Sequence, residues 1–176
     1  MGESDEDLAI RAQRGDGRAF QCLLERNYAV IYRFAYRFMG QRADAEDIAQ
    51  DVCSTLAQRM SGYRGQGRFT TWLYAVTLNA VRDHGRRRRT IENLHGAYAS
   101  IAEHGRADWA DSDARTRWLY GAFDQLDGGL KETALMVIAE DMTHAEAAKV
   151  LGVKESTVSW RMGEIKKRLK AMARND

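Results

Sequence analysis

The sequence predicts an all-α protein of two small helical domains joined by a flexible linker. Three observations carry that expectation. Apolar residues recur at spacings of three and four along most of the chain, the period of a helix with one buried face. The 176 residues contain no proline, so glycine alone punctuates the helices. The charge is uneven: residues 1–89 hold 15 Lys/Arg against 11 Asp/Glu, residues 90–113 hold 1 against 5, and residues 114–176 hold 11 against 9. An acidic strip between two basic blocks reads as a linker between two domains that face nucleic acid.

The elements follow in order. Residues 5–14 form a helix with acids in its first turn and arginines later, as the helix dipole favours. Gly15-Asp16-Gly17 is a turn, and a longer helix covers roughly 18–39. There Phe20, Leu23, Leu24, Tyr28, Ile31, Tyr32, Phe34, Ala35 and Phe38 supply the core face, and Gly40 stops it. Asp44 opens the next helix, which runs to about Met60 with Ile48, Val52, Thr55 and Leu56 on its buried side. Asp44, Asp47, Gln50 and Asp51 project elsewhere. The helix dipole accounts for the first two acids, but not for Gln50 and Asp51 a turn further in, and such a cluster can dock a basic partner.

Residues 61–68 are a loop with three glycines, two arginines and Tyr63. A helix from Phe69 to His84 follows, packing through Leu73, Val76, Ala80 and Val81 and ending in the run Arg86 to Arg89. Core packing explains Phe69 and Trp72 taken alone. Aromatics interleaved with arginines beside a Gly-rich loop also suit single-stranded DNA, with rings to stack on and cations for phosphates. Residues 90–112 are weakly periodic and acidic, the expected linker. A helix resumes over 113–126, Gly128-Gly129 separates it from a helix over 131–140, and two further helices end the chain.

The first of that last pair begins at Thr143, with Glu146 at capping-box spacing, and stops at Gly152. The second restarts near Glu155, burying Val158, Met162, Ile165 and Leu169 and freeing Thr157, Trp160, Arg161, Glu164, Lys167 and Arg168. This is a helix-turn-helix whose second helix suits a major groove. An ordinary helical hairpin with a solvated basic face is the plainer alternative.

Several classes are excluded or disfavoured. No apolar run is long enough for a membrane span, and the acidic start is unlike a signal peptide, so a soluble cytoplasmic protein is expected. Cys22 and Cys53 lack CxxC spacing and four scattered histidines lack ligand spacing, so no metal or other cofactor is expected. An enzyme acting on nucleic acid would need a second acidic or histidine set beside Asp44, Asp47 and Asp51. A stand-alone helix-turn-helix regulator would be expected to dimerise, yet no long heptad seam is present.

In this order the motifs resemble the extracytoplasmic-function group of RNA polymerase sigma factors, of the sigma-70 family. Asp7-Leu8 through Arg14-Gly15-Asp16 and Ala19-Phe20 resembles the family's opening. Asp44-Ala45-Glu46-Asp47-Ile48-Ala49-Gln50-Asp51 resembles its polymerase-docking motif. Tyr63-Arg64-Gly65, Phe69-Thr70-Thr71-Trp72-Leu73-Tyr74 and Asn79 resemble the segment that melts the minus-ten element, and Leu151-Gly152-Val153, Thr157-Val158 and Arg161 its minus-thirty-five reader. Asp127, Lys154, Trp160, Gly163 and Glu164 depart from the family pattern.

The resemblance implies a docking and melting domain over 1–89, a linker over 90–112 and a helix-turn-helix domain over 113–176. It implies core RNA polymerase, promoter DNA and an anti-sigma factor as partners, and no enzymatic activity. Asp44, Asp47, Gln50 and Asp51 would hold the polymerase. Tyr63, Arg64, Thr71 and Asn79 would take an unstacked minus-ten base, with Phe69 and Trp72 supporting the helix or wedging the duplex. Arg82 and Arg86 to Arg89, Arg86 and Arg87 among them, would hold phosphates. Lys154, Ser156, Thr157, Ser159, Trp160 and Arg161 would reach the minus-thirty-five element, with Arg161, Lys166, Lys167 and Arg168 on its backbone. On its charge alone, and not from the resemblance, the acidic linker would suit the positively charged RNA path of the polymerase.

Overall fold

The computed structural model describes residues 2–94 and 114–174, with side chains through Ile91 in the first stretch. The part of the expected linker beyond Leu94 lies outside the described residues. Among those described there is no strand. The chain divides into two compact units, Met1–Arg106 and Ala107–Asp176.

In the first unit α1 (Asp5–Gln13) is capped by Ser4, whose side chain accepts from the Asp7 N–H at 3.1 Å. Asp16 caps α2 (Gly17–Met39), accepting from the N–H groups of Arg18 and Ala19. Gly40 closes α2 at φ 69°, a conformation suited to glycine. Helix α2 is the centre of the unit and packs against α1, α3 (Arg42–Arg59) and α4 (Phe69–Leu94). Its buried face is Ala19, Leu23, Asn27, Ile31, Phe34, Ala35 and Phe38. The one polar member, Asn27, donates to Asp5 Oδ2 at 2.8 Å and to the Leu23 carbonyl at 3.0 Å, so burial leaves its amide paired. Tyr28, expected in the core, is 43% exposed. Nine apolar positions over this helix make a stripe wider than its neighbours cover, and Tyr28 falls past the edge.

Two boundaries differ from expectation. Helix α3 starts two residues early, at Arg42. Helix α4 does not end near His84 but runs through Gly85 and the arginines to Leu94. A glycine inside a helix costs about 1 kcal/mol without breaking it, and contacts to α3 described below hold the extension.

In the second unit α5 (Ala114–Asp124) leads to α6 (Gly128–Ala134), which widens into a π turn over Leu135–Ala139. Gly128 and Gly129 do not separate two helices. They form the first turn of α6, because Asp127 is its N-cap and accepts from the Leu130 N–H at 3.4 Å. Helix α7 (His144–Leu151) carries the expected capping box: Glu146 N–H donates to Thr143 Oγ1 at 3.2 Å, and Thr143 N–H donates to Glu146 Oε2 at 3.0 Å. Gly152, at φ 68°, turns the chain into α8 (Glu155–Met172). Val158, Met162 and Ile165 of α8 are buried against α6 and α7, and Leu169 is half-buried.

Candidate functional site

The acidic face of α3 is not uniform. Asp47, Gln50 and Asp51 are exposed. Asp44 is turned toward α4, with its side chain only 17% exposed. Its Oδ1 lies 3.1 Å from His84 Nε2, and its Oδ2 accepts from Arg88 Nη1 at 3.1 Å. Asp44 therefore spends its carboxylate inside the unit, as a tie between the start of α3 and the extension of α4. Arg87 approaches Asp51 at 3.8 Å with both side chains well exposed, a pairing of small energy. Arg86 pairs with Asp83 on its own helix.

Sequence reasoning placed the acids and the arginines in separate sites. Folding brings part of each together, in a groove lined by Asp44, Asp47, Gln50, Asp51, His84, Arg87, Arg88 and Ile91. His84 was missed because its partner stands 40 residues away, with no local pattern to announce it. Ile91, expected in the linker, is instead a helix residue 55% exposed at this groove.

The glycine loop is internally braced. Tyr63 is buried, with its ring edge-on to Phe69 at 5.5 Å and tilted against Trp72 at 5.6 Å. Its hydroxyl donates to the Gly67 carbonyl at 3.1 Å. Burial pushes the Tyr63 phenol above its ordinary pKa, and the Glu6 carboxylate adds to the shift. Phe69 has no exposed surface. Of the two roles open to Phe69, support and wedge, this leaves support, and Tyr63 likewise acts from beneath the loop. Arg64, Gln66 and Arg68 are exposed, and Gly65 and Gly67 sit at φ 67° and 99°.

On α4, Thr71 and Trp72 are half-buried and Asn79 is exposed. Steps of seven residues return to nearly the same side of a helix, so Trp72, Asn79 and Arg86 share one outer stripe, with Arg82 beside it. That stripe starts at the loop and ends in the basic run. It presents a ring, an amide and cations in line, a surface able to stack on, bond to and neutralise a nucleic-acid strand.

In the second unit Lys154, Ser156, Ser159, Trp160, Lys166 and Lys167 are exposed and Thr157 is half-buried. Trp160, at 68% exposed, stands out among apolar side chains. Ser159 Oγ lies 2.9 Å from His144 Nδ1, joining the two helices of the motif. Arg161 and Arg168 depart from expectation. Arg161 folds back over α6, where it donates to Thr133 Oγ1 at 3.4 Å, and a Cβ on Gly129 would come within 3.1 Å of its Nη2. Arg168 donates to Asp127 Oδ2 and to Glu164 Oε1, both at 3.3 Å. Both arginines brace α8 on α6, so their availability to DNA is reduced.

Cys22 and Cys53 are unpaired, and burial pushes the Cys53 thiol up, away from reactive thiolate. Among the described residues no group of three or more His, Cys, Asp or Glu is placed to hold a metal ion. None of the described helices is long and apolar enough to cross a membrane.

The family model of Sigma-70 region 2 matches residues 23–91. The RNA polymerase sigma factor CnrH of Cupriavidus metallidurans is 27% identical over 97% of this chain and 94% of its own length. The RNA polymerase sigma-H factor of Pseudomonas aeruginosa is 34% identical over 47% of this chain, an alignment that spans 42% of that relative. A solved structure of CnrH, in complex with the cytosolic domain of CnrY, is similar at a TM-score of 0.72 and 26% identity, covering 99% of both chains. The fold is shared also by RpoE of Bartonella quintana, solved with the anti-sigma factor NepR, at a TM-score of 0.70 and 21% identity over 89% of this chain and 98% of that one. With the acidic α3 motif, glycine loop and helix-turn-helix in place, the chain belongs to the extracytoplasmic-function group of sigma factors in the sigma-70 family.

Proposed function

We propose that this sigma factor divides promoter-directed initiation between its two units. In the first, Asp47, Gln50 and Asp51 dock on core RNA polymerase, and Asp44 holds the face they stand on. Charge complementarity with a basic partner surface favours such a cluster. The loop and the α4 stripe receive the minus-ten strand: Arg64 and Asn79 meet a displaced base, Thr71 and Trp72 border it, and Arg82, Arg86 and Arg87 lie along phosphates. Taking a base out of the stack costs a few kcal/mol, which a preformed pocket offsets.

The second unit presents α8 to the minus-thirty-five element through Lys154, Ser156, Thr157, Ser159 and Trp160, with Lys166 and Lys167 on the backbone. In this reading the chain supplies specificity and the polymerase supplies the chemistry, in the cytoplasm. An anti-sigma partner is part of the proposal, because CnrH has been solved with the cytosolic domain of CnrY.

The observation that carries the reading is the pairing, on one unit, of an exposed acidic face with a braced, arginine-bearing loop. Its test is reconstituted transcription from a promoter selected by the wild-type holoenzyme. Asn79→Ala is expected to lower initiation while leaving polymerase binding intact. Equal initiation by the variant would remove Asn79 from the site.

A further inference from the structure

Helix α1 holds no residue assigned above to polymerase or DNA, yet two of its side chains grip the minus-ten loop, one at each end. Gln13 closes α1 and aims its amide at the loop's beginning. Its Nε2 donates to the carbonyls of Met60 and Tyr63, each at 2.6 Å. Both amide hydrogens are thereby used, and the Met60 carbonyl also accepts from the Tyr63 N–H at 2.9 Å. Glu6 takes the loop's end: its Oε1 accepts from the Phe69 N–H at 2.8 Å. Phe69 opens α4, and its N–H is one of the donors that a helix start leaves without an intrahelical partner.

Seven residues separate Glu6 from Gln13, so the two project from one side of α1 about 10 Å apart along the axis. Between their attachment points the chain passes through two positive-φ glycines, with the bond from Tyr63 to Gly67 as a brace across them.

We infer that α1 is the mount of the promoter-melting loop, with Gln13 and Glu6 as positioning residues that hold it in its base-receiving shape before DNA arrives. The inference rests on the proposed assignment of that loop to the minus-ten strand. A segment this rich in glycine loses much conformational freedom when ordered. With both ends fixed from α1, that loss falls on folding of the unit rather than on capture of the strand.

The test uses the full chain assembled with core polymerase. The probe is a single-stranded oligonucleotide carrying the minus-ten segment of a promoter selected by the wild-type holoenzyme. Gln13→Met keeps the length of the side chain and removes the donor. Glu6→Leu removes the acceptor, and Glu6→Gln keeps one. Gln13→Met, which loses two hydrogen bonds, and Glu6→Leu, which loses one, are each expected to weaken oligonucleotide binding at least about fivefold. Glu6→Gln stays near wild type, and all three bind core polymerase within about twofold of it.

Wild-type oligonucleotide binding by Gln13→Met and Glu6→Leu, with Asn79→Ala defective, would overturn the mount and leave the loop assignment standing. Wild-type binding by Arg64→Ala and Asn79→Ala as well would remove the loop assignment and the mount together. Parallel loss of polymerase binding in the α1 variants would reduce Gln13 and Glu6 to residues that merely fold the unit.

Discussion

Replacing Asp44 by Ala is expected to loosen the end of α4 without touching the docking contacts directly. The carboxylate makes one charge-assisted hydrogen bond to Arg88 and one contact to His84, each at 3.1 Å. Bonds to charged groups contribute about 1.5–3 kcal/mol when shielded. Arg88 is 28% exposed and His84 23%, so solvent screening argues for the low end. Asp44 also stands in the first turn of α3, where an acid adds roughly 0.3–1 kcal/mol through the helix dipole. Together the loss comes to about 2–3 kcal/mol.

The chain folds as two units, so a single unfolding midpoint would blur this loss, and amide hydrogen exchange is the better assay. Amides of Arg82 to Arg89 should exchange about 30- to 150-fold faster in Asp44→Ala than in wild type, the equivalent of that free energy. Asp47→Ala should leave them unchanged. Unaltered exchange in Asp44→Ala, combined with a loss of polymerase affinity as large as that of Asp47→Ala, would refute the tie and return Asp44 to the docking set.

Other substitutions separate support from contact. Phe69→Ala empties a fully buried site and should cost about 3–5 kcal/mol by urea unfolding of the first unit, whereas exposed Asn79→Ala should stay within about 0.5 kcal/mol of wild type. Gly152→Ala forces a side chain into φ 68° and should destabilise the second unit by about 1–2 kcal/mol in thermal melts. Trp160→Ala should leave that unit's melting nearly unchanged while altering which minus-thirty-five sequences are recovered in a binding selection.

What could be read from the sequence was set by local chemistry. The all-α class, the breaks at Gly40 and Gly152 and the box of Thr143 with Glu146 depend on neighbours a few residues apart, and each is found where expected. The glycines at 128 and 129 misled because a glycine marks a stop only when the chain needs a left-handed residue there. Neither has positive φ. At Gly129 the missing side chain instead makes room for the Arg161 guanidinium. Which arginines face outward was likewise not legible. Arg88, Arg161 and Arg168 are turned inward by partners 28 to 44 residues distant, and a basic run looks the same whether its members meet solvent or a carboxylate. The grip of α1 on the loop spans 47 to 63 residues and leaves no local pattern.

The most direct measurement is a binding titration against core RNA polymerase, comparing the wild-type chain with an Asp47→Arg/Asp51→Arg variant. Sub-micromolar binding by the wild type, abolished in a variant whose circular dichroism and melting match the wild type, is the predicted result. No polymerase binding by the folded wild type, with tight binding to duplex DNA on its own, would contradict the account and leave a stand-alone helix-turn-helix regulator in its place.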